Sequence, residues 1–256
     1  MRAWAVFKKE MRLYFSSPIA YVVFAIFALV AGFFFYSNFA YYVLASMQAA
    51  MNPMMGRDLS VTDTLFRYLF QNISVIMLML TPALTMRLFA EEKKSGTMEL
   101  LLTYPVRDGE VLFGKYLAAM MIFVGMLALT FVYPALVAWT AQLEWGPLLT
   151  GYLGLLLQGA VFIAIGLLVS SLTENQIVAF VGTLGTLLML WVVSWAADQV
   201  GGKWGRVISH LSVTEHFGDS FAKGVIDTKD IIYYLDLTIL SLFLTLRSLE
   251  SKRWRG

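Results

Sequence analysis

Cysteine is absent from all 256 residues, which excludes disulfides and thiolate sites and leaves the redox compartment open. Charge is scarce too: Asp, Glu, Lys and Arg make up 14% of the chain, against about 25% in soluble domains. No Ser/His/Asp set, no H-E-x-x-H run and no pair of aspartates within an apolar stretch occurs, so an intramembrane enzyme lacks its catalytic groups. Histidine is limited to His210 and His216. Together with Glu215 they match no zinc spacing, so no metal site is expected. The net charge of +2 comes from flanking loops and does not suggest nucleic acid.

What is present is apolar surface, 59% of the chain, arranged in long blocks. About twenty apolar residues are needed to cross a hydrocarbon core of about 30 Å as a helix. Six such spans are predicted, over about 18–39, 72–90, 112–139, 148–170, 176–197 and 231–246, the last being the shortest. The spans leave no room for a separate soluble domain, so residues 1–256 read as one all-α polytopic membrane domain. Before the first span, Trp4, Phe7, Met11, Tyr14 and Phe15 share an arc while Arg2, Lys8, Lys9 and Arg12 fall elsewhere, the pattern of a helix lying in the headgroup plane. A signal peptide is rejected because the apolar run is too long, starts too late and has no small-residue cleavage site. Pro82 is expected to kink the second span, and Arg87 to snorkel toward the interface.

Basic residues choose the orientation. With both termini inside, cytosolic segments hold 13 of the 19 Lys and Arg; Arg57, Arg67, Lys203, Arg206, Lys223 and Lys229 are outside. The positive-inside rule favours this arrangement. It also places Trp139, Trp145, Trp191 and Trp195 near the outer interface, where amphipathic rings are favoured. The two longer outer segments, about 40–71 and 198–230, read as short helices or re-entrant pieces.

The loop after the second span carries the richest local signals. Glu91, Glu92, Lys93 and Lys94 extend the helix into water, Gly96 can end it in a left-handed conformation, and Thr97 is a candidate N-cap. Met98, Leu101 and Leu102 then share a face until Pro105 stops the turn. Spacing alone fits either a solvated helix or a face that docks on a partner. In the next cytosolic turn, Thr173 with Gln176 fits a capping box, beside Glu174 and Asn175. Gly109 to Tyr116 matches G-x-x-x-x-G-K, but Tyr stands where a phosphate loop needs Ser or Thr, and no strand precedes it. Nucleotide binding is therefore not expected there. Asp236, an acid within the sixth span, is either a functional group facing protein or water, with Lys223 and Lys229 as possible outer partners, or a residue that lies near the outer interface or simply bonds a neighbouring helix. Ala160 with Ala164, and Gly182 with Thr186, are spaced for close helix packing.

FKKE at 7–10, SSPIAY at 16–21, TMRLFAEEKKSGTMELLLTYPV at 85–106, GK at 114–115, SLTENQIVAF at 171–180 and HFGDSFAKGVIDTKDIIYYL at 216–235 resemble ABC-2 type exporter permeases, closest to the gliding-motility-associated branch. The resemblance implies a six-helix permease fold in the bacterial inner membrane, pairing with a second permease, identical or homologous, and with two ATPase subunits that hold ATP and magnesium. An auxiliary protein with a large extracytoplasmic domain often accompanies such permeases. Residues 1–16 would form an interfacial helix bearing Trp4, Phe7, Lys8 and Met11, and 199–230 an outer re-entrant segment. The 91–105 region would be the coupling helix, with Glu91, Glu92, Lys93, Lys94, Thr97, Met98, Glu99, Leu101 and Leu102 toward the ATPase and Glu174 and Asn175 beside them. Such a chain is non-catalytic. It would form an export pathway or, alternatively, pass ATPase motion to the auxiliary protein without bulk transport.

Overall fold

The computed structural model describes residues 2–51, 60–97, 107–200, 202, 210 and 212–253, and the described residues contain no strand. Ten α-helices are described: α1 (Arg2–Ser16), α2 (Pro18–Met51), α3 (Arg67–Thr85), α4 (Arg87–Lys94), α5 (Asp108–Thr130), α6 (Val132–Ala138), α7 (Trp145–Leu172), α8 (Gln176–Val200), α9 (Val213–Asp219) and α10 (Thr228–Arg253). A π-helical turn, Thr62–Phe66, leads into α3, and a 3₁₀ turn, Phe221–Lys223, follows α9. Among the described residues, six helical segments are long and apolar enough to cross a membrane: α2, α3 with α4, α5 with α6, α7, α8 and α10.

α7 is the hub, packed by α3, α5, α8 and α10. Close approach depends on glycine: a Cβ on Gly166 would lie 2.2 Å from Thr85 Oγ1. Of the small residues singled out from spacing, Ala164 is fully buried and a Cβ on Gly182 would lie 2.9 Å from Val169 Cγ1, whereas Thr186 is exposed. Of the spans, α3 and α7 are the most buried, whereas α2, α8 and α10 leave much of their surface open.

The second span breaks close to the expected kink, and the third and sixth depart from their expected form, each for a physical reason. In the second, Pro82 lies inside α3, and the helix breaks at Met86. There the Ser170 hydroxyl accepts from the N–H groups of Phe89 and Ala90 at 3.1 and 3.2 Å and donates to the Met86 carbonyl at 3.0 Å. An inserted side chain thus replaces the helix ladder, a recognised cause of a kink. The third span breaks at Phe131, where Pro134 cannot donate to the Thr130 carbonyl. The sixth is longer than predicted, 26 residues. Its buried stripe is Tyr234, Thr238, Ser241, Thr245 and Leu249, and the hydroxyls weakened the apolar signal. Thr238 and Thr245 donate to carbonyls one turn back at 2.8 and 2.7 Å, so they pack without unmet hydrogen-bonding groups.

Candidate functional site

At the end of the bundle that carries α1, four charged side chains from three helices converge. Lys115, about two turns into α5 and 1% exposed, sits between two carboxylates. Its Nζ donates to Glu10 Oε1 of α1 at 2.7 Å and lies 2.9 Å from Glu92 Oε2 of α4 in an ion pair off the line of a hydrogen bond. Lys9 Nζ donates to the other oxygen of Glu92 at 2.7 Å. The Phe89 ring flanks Lys115, its centroid 5.3 Å from Nζ. Two positive and two negative charges cancel, which satisfies the condition for burying ions.

The sequence places these groups by helical period. On α1, Phe7, Glu10 and Tyr14 fall on the buried side, while Trp4, Lys8 and Phe15 stay exposed and Met11 is half-buried. The predicted interfacial arc therefore splits, one edge packing on α5 and the other left open. Docking on α5 requires Gly114, where a Cβ would meet Val6 Cβ at 2.7 Å and the Ala3 carbonyl at 2.8 Å. The G-x-x-x-x-G-K stretch thus lies in or beside helix α5, its glycine used for packing and its lysine consumed by carboxylates. Tyr14, fully buried, donates to the Leu84 carbonyl at 2.7 Å, and burial pushes its phenol well above its ordinary range. Burial disfavours the Lys9 ammonium, but the hydrogen bond and charge of Glu92, with the charge of Glu10, outweigh it and raise its pKa.

α4 is tied to the other helices at several points. Lys93 Nζ donates to the Ser171 carbonyl at the end of α7. Arg87 donates to Ser17 Oγ at 3.0 Å, bridging to the α1–α2 junction instead of reaching freely outward. A cavity of about 270 Å³ lies beside the cluster, lined by Lys9, Glu10, Tyr14, Arg87, Glu91 and Glu92.

The residues expected on the partner-facing surface divide. Glu91, Lys94, Thr97, Glu174 and Asn175 are exposed, Lys93 is half-buried, and Glu92 is turned inward by Lys115 and Lys9. Gly96 has the predicted positive φ, +69°. The Thr97 hydroxyl donates to the Glu92 carbonyl at 3.3 Å, serving the end of α4. Asn175, not Thr173, caps α8: its Oδ1 accepts from Ile177 N at 2.9 Å, while Thr173 Oγ1 accepts from Asn175 N at 3.1 Å. Met98, Glu99, Leu101 and Leu102 lie outside the described residues.

At the opposite end, His216 of α9 is already engaged. Its Nδ1 is 2.6 Å from Asp230 Oδ1, its Nε2 is 3.3 Å from the His210 carbonyl, and its ring stacks on Tyr233 at 4.0 Å. Tyr234 also donates to the Val213 carbonyl at 2.7 Å, so three contacts fix α9 on α10. Among the described residues, no group of three His, Asp or Glu side chains is placed to hold a metal ion. Lys223 and Lys229 pair with Asp219 and Asp227, at 2.8 and 3.0 Å, and not with Asp236. Asp236 itself is exposed on α10, which overturns its burial within this chain. Sequence reading missed Glu10 and Lys115 as a pair; the available signal was a lysine one turn inside an apolar span.

The charge cluster and its surroundings belong to a chain whose residues 4–246 match the family model described as ABC-2 family transporter protein. The chain is also similar to the probable multidrug ABC transporter permease YbhR of Escherichia coli, strains K12 and O157:H7, with 27% identity over 150 residues, 57% of this chain. The match spans 39% of the length of those relatives. With nearly its whole length matched by the family model, the chain belongs to the ABC-2 family of transporter proteins.

Proposed function

We propose that the chain is the membrane permease subunit of an ATP-driven exporter in the bacterial inner membrane, with both termini and the Glu91–Val111 loop in the cytosol. A second permease, this chain or a homologue, and two ATPase subunits complete it. ATP and magnesium are held by the ATPases. Family membership and the similarity to a probable multidrug permease support this reading.

The observation that carries the mechanism is the Lys115 cluster. Glu91, Lys94 and Thr97, together with Met98, Glu99, Leu101 and Leu102, form the surface that meets the ATPase, with Glu174 and Asn175 beside it. Displacement of that surface moves α4. Glu92 passes the displacement through Lys115 to α5 and, with Lys9 and Glu10, to α1. Ser170 and Ser171 pass it to α7. One input thereby reaches several spans, because paired buried charges resist separation.

Leu101→Asp tests the docking surface. Burying a leucine is worth about 1.5–3 kcal/mol, and a loss of about 3 kcal/mol weakens association on the order of a hundredfold. The variant is expected to insert in the membrane but fail to recover its ATPase in a pull-down. Undiminished recovery and undiminished stimulation of hydrolysis would place coupling elsewhere. Transport of a defined substrate by reconstituted vesicles separates export from transmission of motion to an auxiliary extracytoplasmic protein.

A further inference from the structure

α10 presents two unlike faces. The one against α7 carries Tyr234, Thr238, Ser241 and Thr245, all buried. The opposite one carries Ile232, Leu235, Ile239, Leu240, Phe243 and Leu244, all exposed, as suits a helix side that meets hydrocarbon or another helix. Asp236 interrupts this apolar stripe and makes no hydrogen bond or ion pair among the described residues.

Its depth makes the interruption costly. At 1.5 Å per residue, Asp236 lies about 10 Å along the helix from Lys229 and about 16 Å from Arg247, too far for a short side chain to reach either end. Lys223 and Lys229 are taken by Asp219 and Asp227. A carboxylate on a lipid-facing surface at that depth is expensive, so such a group normally faces protein or water.

A second copy of the chain is a poor complement. Two-fold packing of α10 on α10 about an axis normal to the membrane would set two Asp236 carboxylates at one depth. At roughly the same depth, the exposed residues of α2 are all apolar, Ala25, Ile26, Ala28, Leu29 and Phe33, and on α8 the Thr186 hydroxyl already donates to the Gly182 carbonyl.

We infer that the Asp236 face of α10 is an assembly surface for a transmembrane helix of a different protein, one that brings a basic side chain to the carboxylate at that level. Opposite charge within an apolar stripe supplies both register and selectivity, because each partner alone leaves a charge unmet in the membrane. This inference does not depend on how the α1 end engages the ATPase.

The test uses the full transporter in its native membrane, with a photo-crosslinking residue at 232 or 239 and, as a control, at 181 on α8. The expected result is an adduct at 232 and 239, absent at 181. Its cross-linked peptide, read by mass spectrometry, should come from a transmembrane segment of another protein with a Lys, Arg or His. Asp236→Leu should cut the yield by about tenfold or more, the loss expected for one charge-assisted hydrogen bond, whereas Asp236→Glu should retain it. Exchanging the charges, Asp236→Lys against an acid at the partner's basic position, should restore it. Adducts with lipid only, adducts between two copies of this chain, or a yield indifferent to Asp236→Leu would overturn the inference. Labelling of introduced cysteines at 94 and 229 verifies insertion in every variant.

Discussion

Lys115 and Asp236 are both charges set among apolar residues of a span, yet the fold treats them differently. Lys115 is enclosed, and its charge is met within the chain by Glu10 and Glu92. Asp236 is left on an open face with its charge unmet. A charge matched internally ties helices of one chain together, and a charge matched only from outside specifies what joins that chain. On the proposed function, one end of the bundle serves transmission, and on the further inference one flank serves assembly.

The largest effect is expected from breaking the internal match. Lys115→Ala leaves buried Glu10 without its hydrogen-bonded cation and Glu92 with Lys9 alone, with a cost of about 3–5 kcal/mol, read as a lower thermal-unfolding midpoint of the purified chain. Lys115→Arg should recover part of it. A Lys115→Ala midpoint equal to that of the unmodified protein would show that the cluster holds nothing together. Next comes Ser170→Ala, which strips the Phe89 and Ala90 N–H groups of an acceptor at about 1–3 kcal/mol. It should also increase amide exchange across Leu88–Ala90, and unchanged exchange would contradict the hydroxyl's role in the kink.

Asp236→Leu sharpens the contrast by doing little. In the purified single chain it should shift stability by no more than about 0.5 kcal/mol, the range of surface substitutions away from special features. A large loss would mean that the carboxylate is satisfied internally after all. The smallest effect is in pH. Lys9 has a folded pKa raised above its ordinary 10.5, so its contribution is complete below pH 10.5 and lost as pH rises through the higher folded value. Unfolding midpoints of the unmodified chain and of Lys9→Met should therefore converge only in that alkaline window, by a small amount because Lys9 is half-exposed. Convergence near neutral pH would contradict the pairing with Glu92.

The spans were legible because hydrocarbon thickness imposes a length, and apolar runs of that length leave little alternative. Their breaks were less so. Pro82 advertised a kink in the second span, but the break is fixed by Ser170, some eighty residues away in sequence. The apolar run of the sixth span is short because threonines and serines interrupt it, although in the helix Thr238 and Thr245 return their hydroxyls to their own backbone. At the candidate site, Glu91 to Lys94 were visible as a charged extension, but period alone could not show which acid turns inward; that depends on α1 and α5 arriving beside α4. Lys115 could have been found by the reasoning applied to Asp236, since both are charges within apolar runs.

The central claim is that α1, α4 and the start of α5 move as one body under the Lys115 cluster. Spin labels on cysteines introduced at 8 and 94, both exposed, measure the α1–α4 distance in the transporter reconstituted with its ATPase, and labels at 94 and 229 measure displacement against the far end. The account predicts that ATP changes the 94–229 distance while leaving 8–94 constant, and that Lys115→Gln lets 8–94 change as well. An 8–94 distance that changes with ATP in the unmodified cluster as much as in Lys115→Gln would contradict it.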